Sequence, residues 1–234
     1  MLPFFILLGV LLAVLAVLWP RKGGSRPVSV KKVPVAKPAP KKASKEAVGL
    51  RGENMMRHAL DDNLDAADYV VLHDVMIPGL AGMPTQIDHL VVSRFGIFVI
   101  EMKNWMGEIS ARTRKWTKRR GGREQVLSSP VRQNERHGKT LSVRLNIPEP
   151  LIHALVAVSH NATFPDGMPK DVYFYSQIPE AIRRFADPVI KPEQVPEIVS
   201  AVRAWSASVS ERDRERFVDN LRKRYGEEVH SGAC

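Results

Sequence analysis

Cysteine is almost absent from this chain of 234 residues, because its single cysteine, Cys234, is the last residue. No intrachain disulfide can form, and a zinc site built from cysteine ligands is excluded. The seven histidines show no metal-ligand spacing, and His89 is expected in the core. His137, one helical turn past Gln133, could line a site there, but we expect it to face solvent. The sequence also lacks internal repeats and a glycine-rich phosphate loop, which argues against solenoid and P-loop proteins.

Acidic residues are missing from the beginning of the chain. Residues 1–20 carry no charged side chain, and residues 21–45 hold nine Lys or Arg and no Asp or Glu. The formal net charge of +10 is therefore concentrated before residue 46, and residues 46–234 are nearly neutral. The overall basicity describes the N-terminal segment, and it does not by itself indicate that the remainder binds nucleic acid.

Residues 2–19 form an uncharged, predominantly apolar run. As a helix it would extend about 27 Å, close to the hydrocarbon thickness of a bilayer. A cleaved signal peptide is the alternative, but no Lys or Arg precedes the run and no small-x-small cleavage site follows it. The run ends in Trp19, Pro20, Arg21 and Lys22, an interfacial aromatic residue followed by cations. These flanks predict a single-pass transmembrane anchor over 1–20 in the inner or plasma membrane, with the C-terminal domain in the cytoplasm.

Residues 21–45 mix lysine, proline, alanine and valine. Such a segment cannot bury a core, and it predicts an extended, semi-rigid linker. Its cations either lie against anionic headgroups or remain solvated.

From residue 46 onward the pattern alternates between helical and strand periodicity. Helices are predicted over 47–64, 130–145, 195–207 and 210–225, and strands over 69–77, 86–93, 97–103, 153–159 and 171–175. This order predicts an α/β domain over 46–180 with a mixed central sheet flanked by helices, followed by C-terminal helices over 181–234.

Three charged residues stand out in the predicted hairpin at 86–103, whose strands are otherwise apolar on both faces. A two-residue connection places Asp88 opposite Glu101 or Lys103, so that all three share one face, with Ile87 on the other face. A three-residue connection would separate them. Buried carboxylates need a charged partner or a metal ion, so the cluster indicates either a functional site or a neutralised rim of the sheet.

The surrounding residues resemble a known family. The run G-L-R-G-E begins at Gly49, the run T-Q-I-D-H-L-V-V-S-R-F-G-I-F-V-I-E-M-K-N-W-M-G-E-I begins at Thr85, and S-P-V-R-Q-N ends at Asn134. This part of the chain resembles the nuclease-related domain (NERD) of the PD-(D/E)xK nuclease superfamily. The resemblance continues more weakly to Phe164, and it implies a restriction-endonuclease-like fold.

The resemblance also implies roles for individual residues. It makes Glu53 the helix carboxylate, Asp88 the first strand acid, and Glu101 and Lys103 the E-x-K pair. Gln133 matches a further polar position, and the metal ligands would be Asp88, Glu101 and the backbone carbonyl of Met102. From the helical pattern alone, Glu53 is better explained as a carboxylate that favours the N-terminal end of a helix.

The implied activity is hydrolysis of phosphodiester bonds in nucleic acid, DNA or RNA, with Mg²⁺ or Mn²⁺ as cofactor. The alternative is a non-catalytic, membrane-tethered module of the same fold that binds nucleic acid or serves as a scaffold.

A basic segment follows the E-x-K strand and contains seven cations and one tryptophan, without an acid. We expect it to form a hairpin beside the site and to contact nucleic-acid phosphates; the alternatives are a solvated loop and a segment drawn to the membrane. The candidate nucleic-acid-binding residues are Arg112, Arg114, Lys115, Trp116, Lys118, Arg119, Arg120 and Arg123.

Overall fold

A computed structural model of the chain describes residues 45–80, 82–112 and 115–230. The predicted anchor over 1–20 and the linker up to residue 44 lie outside the described residues. Within these ranges, no helix has both the length and the apolar character needed to cross a membrane.

The described elements follow the predicted alternation of helices and strands. The helices are α1 (Lys45–Asp61), α2 (Pro130–Leu145), α3 (Ile178–Arg183), α4 (Gln194–Ser208) and α5 (Glu211–His230). The strands are β1 (Tyr69–Ile77), β2 (Thr85–Ser93), β3 (Gly96–Lys103), β4 (Gly107–Ser110), β5 (Trp116–Arg120), β6 (Arg123–Leu127), β7 (Ile152–Val158), β8 (Ala162–Thr163) and β9 (Val172–Phe174). Each predicted element is present, with ends shifted by a few residues at most.

The main sheet has five strands in the order β1-β2-β3-β7-β9. Strands β1, β2 and β3 are antiparallel, whereas β3, β7 and β9 are parallel. Ser93 pairs with Gly96, so the connection between β2 and β3 has the two residues that the site prediction requires. The sheet is therefore mixed, as predicted.

Both faces of this sheet are covered by apolar side chains, because its central strands are hydrophobic on both sides. On one face Leu90 and Val99 pack with Leu141 of α2 and Val202 of α4. On the other face Phe98 and its neighbours pack against α1 and α3. Burial of each large apolar side chain contributes roughly 1.5–3 kcal/mol. An α/β arrangement of this kind fits a restriction-endonuclease-like fold.

A second sheet of four strands, in the order β6-β5-β4-β8, was not predicted as a sheet. The basic segment forms its β5–β6 hairpin, as expected. Trp116 and Leu127 of that hairpin pack with Val156 and Val158 of β7 in a third apolar cluster. This cluster fixes the hairpin onto the main sheet.

The alternation of side chains along β1 and β2 is interrupted near Asp88. The paired residues His73–His89 and Val75–Ile87 flank Asp74, whose φ is 53°. A non-glycine residue at positive φ breaks the regular extended backbone. Ile87 consequently lies in the same cluster as Leu90, and its predicted placement on the opposite face is wrong.

Candidate active site

Three predicted residues meet at the end of β3. Lys103 Nζ donates a 2.6 Å hydrogen bond to Glu101 Oε1, and the Glu101 side chain is only 3% exposed. Residues two apart on a strand share a face, which brings this ammonium and this carboxylate together. Burial of a carboxylate is costly unless it is paired, so the contact with Lys103 is part of what allows Glu101 to lie here.

Asp88 joins them from the neighbouring strand, at the point where the strands part. The backbone pairing of β2 and β3 ends at His89–Ile100, and the backbone N–H of Met102 donates a 2.9 Å hydrogen bond to Asp88 Oδ2. Burial, and next the negative charge of Glu101, raise the pKa of Asp88 well above its ordinary value. The two carboxylates therefore repel each other while both are ionised.

Glu53 approaches the same cluster from α1 and is half-buried. Its pKa is raised first by burial, and then by the negative charges of Asp74 and Glu101. Asp74 was not among the predicted site residues, although a carboxylate within the largely apolar strand Y-V-V-L-H-D-V-M-I was a signal. Its carboxylate also accepts a 2.6 Å hydrogen bond from Gln86 Nε2.

Helix α2 supplies the polar cover of Glu101. Gln133 Nε2 donates a 2.9 Å hydrogen bond to Glu101 Oε1, which places Gln133 in the cluster that the resemblance implies. His137 Nε2 lies 3.7 Å from Glu101 Oε2, and His137 Nδ1 lies 3.0 Å from Thr85 Oγ1. The expectation that His137 faces solvent is wrong, because its side chain is 9% exposed and burial lowers its pKa. One helical turn separates it from Gln133, so it follows Gln133 into the site.

Local sequence explains why α2 lies where it does. Ser129 caps the helix by accepting a hydrogen bond from the backbone N–H of Arg132, and Pro130 occupies its first turn, a position that proline favours. Asn134 is buried and donates hydrogen bonds to the backbone carbonyls of Val99 (2.8 Å) and Leu155 (2.7 Å). The helix is thereby locked to β3 and β7 beside Glu101.

His89 lies in the core, as predicted. It is 1% exposed, its Nδ1 lies 2.7 Å from His73 Nδ1, and burial lowers its pKa to about 3. His89 is therefore neutral throughout the physiological range and is a core residue.

The charges in the cluster favour a bound cation. Glu53, Asp88 and Glu101 bring three carboxyl groups together, and the cations that act on them are Lys103 and, at Glu53, Arg57. Within the described ranges, no group of three or more His, Cys, Asp or Glu side chains has the geometry of a metal site. Mg²⁺, however, commonly uses one or two carboxylates and keeps several waters. Asp88 and Glu101, together with a backbone carbonyl, therefore fit a hard divalent cation by donor chemistry and by excess negative charge.

Four arginines of the basic segment differ in whether an acidic side chain lies beside them. Arg112 forms an ion pair with Asp166, and Arg119 Nε donates a 2.7 Å hydrogen bond to Glu108 Oε2. Arg120 and Arg123 face each other at the exposed end of the hairpin. Two of these four arginines are therefore paired with an acid, Arg112 with one in a turn and Arg119 with one on β4.

The remaining candidates for nucleic-acid binding have different surroundings. The Trp116 side chain is 4% exposed and packs in the third apolar cluster, so that stacking on a base would require this cluster to open. Lys115 is exposed, Lys118 is half-buried, and Arg114 lies outside the described residues.

Comparison with known proteins gives three findings. Residues 48–159 match the model of the nuclease-related domain family. An uncharacterized protein of Bacillus anthracis is 27% identical over 174 residues, which covers 72% of this chain and 80% of the relative. No solved structure matches the chain significantly. The resemblance seen in the sequence is therefore confirmed for residues 48–159, which are similar to the nuclease-related domain.

Proposed function

We propose that this protein is a metal-dependent nuclease that hydrolyses phosphodiester bonds of nucleic acid. The observation that carries the proposal is the convergence of Glu53, Asp88, Glu101 and Lys103 at the point where β2 and β3 separate. A purely structural ion pair needs one carboxylate for each ammonium, whereas this cluster contains an excess of carboxylates. The match to the nuclease-related domain supports the same conclusion.

Mg²⁺ or Mn²⁺ would be held by the carboxylates of Asp88 and Glu101 and by the backbone carbonyl of Met102. When bound, such an ion supplies charge stabilisation at the scissile phosphate and makes a coordinated water more acidic. Hard oxygen donors of this kind suit both ions.

The protein's own side chains orient the reacting groups. The Lys103 ammonium is fixed by its 2.6 Å hydrogen bond to Glu101, from where it would orient the attacking water and stabilise negative charge developing on the phosphate. Gln133 holds the Glu101 carboxylate in one orientation through its 2.9 Å hydrogen bond. Glu53, whose pKa is raised, keeps a proton to higher pH than an ordinary carboxyl group and would hydrogen-bond a water at the edge of the site.

A second candidate is a non-catalytic module that binds nucleic acid or serves as a scaffold on the same fold. The close contact between Lys103 and Glu101 favours it, because an ammonium group bonded to this carboxylate can serve as its structural partner. The two candidates differ in whether Lys103 contributes to a rate or only to stability.

We further propose that residues 1–20 anchor the protein to the inner or plasma membrane and that the nuclease-related domain lies in the cytoplasm. The uncharged run over 2–19 and the nine cations over 21–45 support this orientation. The linker would then hold the domain near the membrane surface.

The test is a cleavage assay with the full-length chain in mild detergent, using fluorescent DNA and RNA in Mg²⁺, in Mn²⁺ and in EDTA. We expect cleavage in a divalent ion only, and a loss of about 10²–10³-fold in rate for Lys103→Ala, which is typical when a group that stabilises transition-state charge is removed. Lys191→Ala removes the same charge at an exposed position and should cleave like the wild type. No divalent-dependent cleavage by the wild type would contradict the nuclease proposal and favour the binding module, and equal cleavage by all three proteins would exclude Lys103 from the reaction.

A further inference from the structure

Two arginines face each other at the end of the β5–β6 hairpin. Arg120 and Arg123 are directly opposed across the two strands, so their Cβ atoms are about 5 Å apart and their side chains leave the same face. Like charges in this position destabilise a hairpin. Among the described residues neither arginine has an acidic partner, in contrast with Arg112 and Arg119. An opposed, exposed pair of cations is therefore a feature that a bound anion would stabilise.

The hairpin holds these two side chains in place. Its turn consists of Gly121 (φ 56°) and Gly122 (φ 76°), and two successive positive φ angles are typical of the tight type I′ turn. A Cβ atom added at either glycine would meet no other atom within 4 Å, so the end of the hairpin projects into open space. At the base, the buried Trp116 anchors the hairpin in the third apolar cluster.

The arginine pair lies on the same side of the molecule as the candidate active site. Alternation along the hairpin puts Arg120 and Arg123 on the face that carries Trp116 at the base, and Trp116 packs with Val158 of β7. Val158 is in register with Lys103 on the adjacent parallel strand, so both belong to one face of the main sheet. The arginine pair and the carboxylate cluster are thus presented to the same ligand.

The separation between the two can be bounded from the chain. Gly107 lies four residues after Lys103, so their Cα atoms are at most about 14 Å apart. A Cβ atom added at Gly107 would lie 3.1 Å from the Cβ atom of Arg120. Adding about 5 Å for the neighbouring strand, Arg120 lies within roughly 20 Å of Lys103. At 3.4 Å per nucleotide in a duplex strand, this corresponds to about six base pairs or fewer.

The available contacts favour a double-stranded ligand. Proteins that hold single strands without sequence preference stack the bases on accessible aromatic rings. Every Phe, Tyr and Trp whose side chain the structure describes is buried or half-buried, and Trp105, beside the site, packs against Trp116. The surface instead presents the positive charges of Arg120 and Arg123 at a fixed distance from the carboxylate cluster. A fixed spacing benefits a stiff duplex, whose phosphates hold their positions, more than a flexible strand.

We propose that Arg120 and Arg123 form a phosphate clamp for double-stranded nucleic acid, holding the duplex backbone while the carboxylate cluster engages a phosphate a few base pairs away. The clamp itself is a binding site that needs no cleavage, but its purpose, positioning the scissile bond, rests on the proposed nuclease function. In this proposal, two of the seven cations in the basic segment contact the duplex.

The test measures binding by the full-length chain in mild detergent and EDTA, where divalent-dependent cleavage cannot occur. The probes are a fluorescent 20-base-pair DNA duplex, an RNA duplex of the same sequence, and the corresponding single strands, each titrated over a range of salt concentrations. We expect the duplexes to bind more tightly than the single strands. Loss of two phosphate contacts in Arg120→Ala/Arg123→Ala should lower the slope of log affinity against log salt by about 1.8.

The matched control is Arg183→Ala/Arg184→Ala, which removes the same two charges from exposed positions at the C-terminal end of α3, where both arginines pair with Glu180. It should leave the slope unchanged, and Arg120→Lys/Arg123→Lys should keep most of it. An unchanged slope in the Arg120→Ala/Arg123→Ala protein, or an equal drop in the control, would overturn the clamp. Tighter binding of single strands would overturn the duplex assignment. Preference for the DNA or the RNA duplex would support the clamp and identify its ligand.

The outcome is separable from that of the nuclease proposal. A wild-type chain that binds duplex through the two arginines but cleaves nothing in Mg²⁺ or Mn²⁺ would retain the clamp and refute the nuclease. A chain that cleaves equally well with both arginines replaced, at unchanged affinity, would retain the nuclease and refute the clamp.

Discussion

Replacing Asp88 with asparagine distinguishes a metal site from a structural ion pair. If Asp88 and Glu101 are arranged to bind a cation, the metal-free protein contains two carboxylates that Lys103 neutralises only in part. Removing one charge should then abolish metal binding and leave the metal-free protein as stable as before or more so. If Lys103 is simply the structural partner of both acids, the same change weakens a buried ion pair and should destabilise the fold by about 1–3 kcal/mol.

The expected magnitude follows from the repulsion between the two carboxylates. Asp88 lies just beyond the last β2–β3 pair and accepts a hydrogen bond from the N–H of Met102, next to Glu101 on β3, so the two carboxylates lie on the order of 5 Å apart. Two unit charges about 5.5 Å apart at an effective dielectric constant near 20 repel by about 3 kcal/mol. Attraction to Lys103 offsets part of this, and the asparagine oxygen accepts the Met102 N–H bond without charge, a loss of about 1 kcal/mol. We expect a net gain of about 1 kcal/mol, which raises Tm by about 2–4 °C.

The assay is thermal unfolding of the wild type and Asp88→Asn, in EDTA and in Mn²⁺, together with calorimetric titration of Mn²⁺. Because the folded-state pKa of Asp88 is raised above its ordinary value of 3.8, ionisation destabilises the folded wild type as pH rises. The advantage of the variant should therefore be largest at neutral pH and vanish below about pH 3.8. Mn²⁺ should stabilise only the wild type. Marked destabilisation of the variant, with no Mn²⁺ binding by the wild type, would refute the metal site.

Three further predictions concern the scaffold and topology. Asn134→Ala leaves two buried carbonyls without their donor and should cost about 2–3 kcal/mol in denaturant unfolding. Gly52→Ala places a Cβ atom 2.6 Å from Asn104 Cβ and should destabilise the fold by about 1–3 kcal/mol. Gly49→Ala adds a Cβ atom that meets no other atom within 4 Å and should stabilise α1 by about 0.5–1 kcal/mol. Thermal unfolding of the two variants measures both effects. A reporter fused after Cys234 should be active in the cytoplasm, and activity only outside it would contradict the predicted orientation.

The elements of the main sheet were predictable because their periodicity is strong. The apolar runs over 69–77 and 97–103 match β1 and β3 within one residue. The sequence left the connection between β2 and β3 open between two and three residues, and the pairing of Ser93 with Gly96 gives it two. The small second sheet was not predictable in the same way. Its strands are short and polar, and its one large apolar residue on β5, Trp116, looked like a ligand contact inside a run of cations. Only the tertiary cluster with β7 shows that Trp116 belongs to the core.

The candidate site was predictable along β2 and β3 but not across helices. Alternation along β3 brings Glu101 and Lys103 together, whereas Asp88 joins them where β2 separates from β3 and the alternation is broken. His137 was misjudged because the polar residues around it on α2 suggested a solvated face. The helical turn that follows Gln133 is in fact buried against the sheet. Asn134 holds it there, because its side chain donates two hydrogen bonds to backbone carbonyls of the sheet. A polar helix face can be a buried face when its side chains satisfy a sheet's backbone groups.

The near-neutral charge of residues 46–234 does not argue against a nucleic-acid ligand, because positive and negative charges in this domain are segregated. Arg112 and Arg119 each form an ion pair with an acid, Asp166 and Glu108, and contribute little to the outward field. The acids of the candidate site are buried or half-buried, and a divalent cation would neutralise much of their charge. The cations at Arg120 and Arg123 are exposed and opposed to each other. The affinity for phosphate therefore depends on which cations lack an acidic partner. The net charge calculated from the sequence does not contain that information.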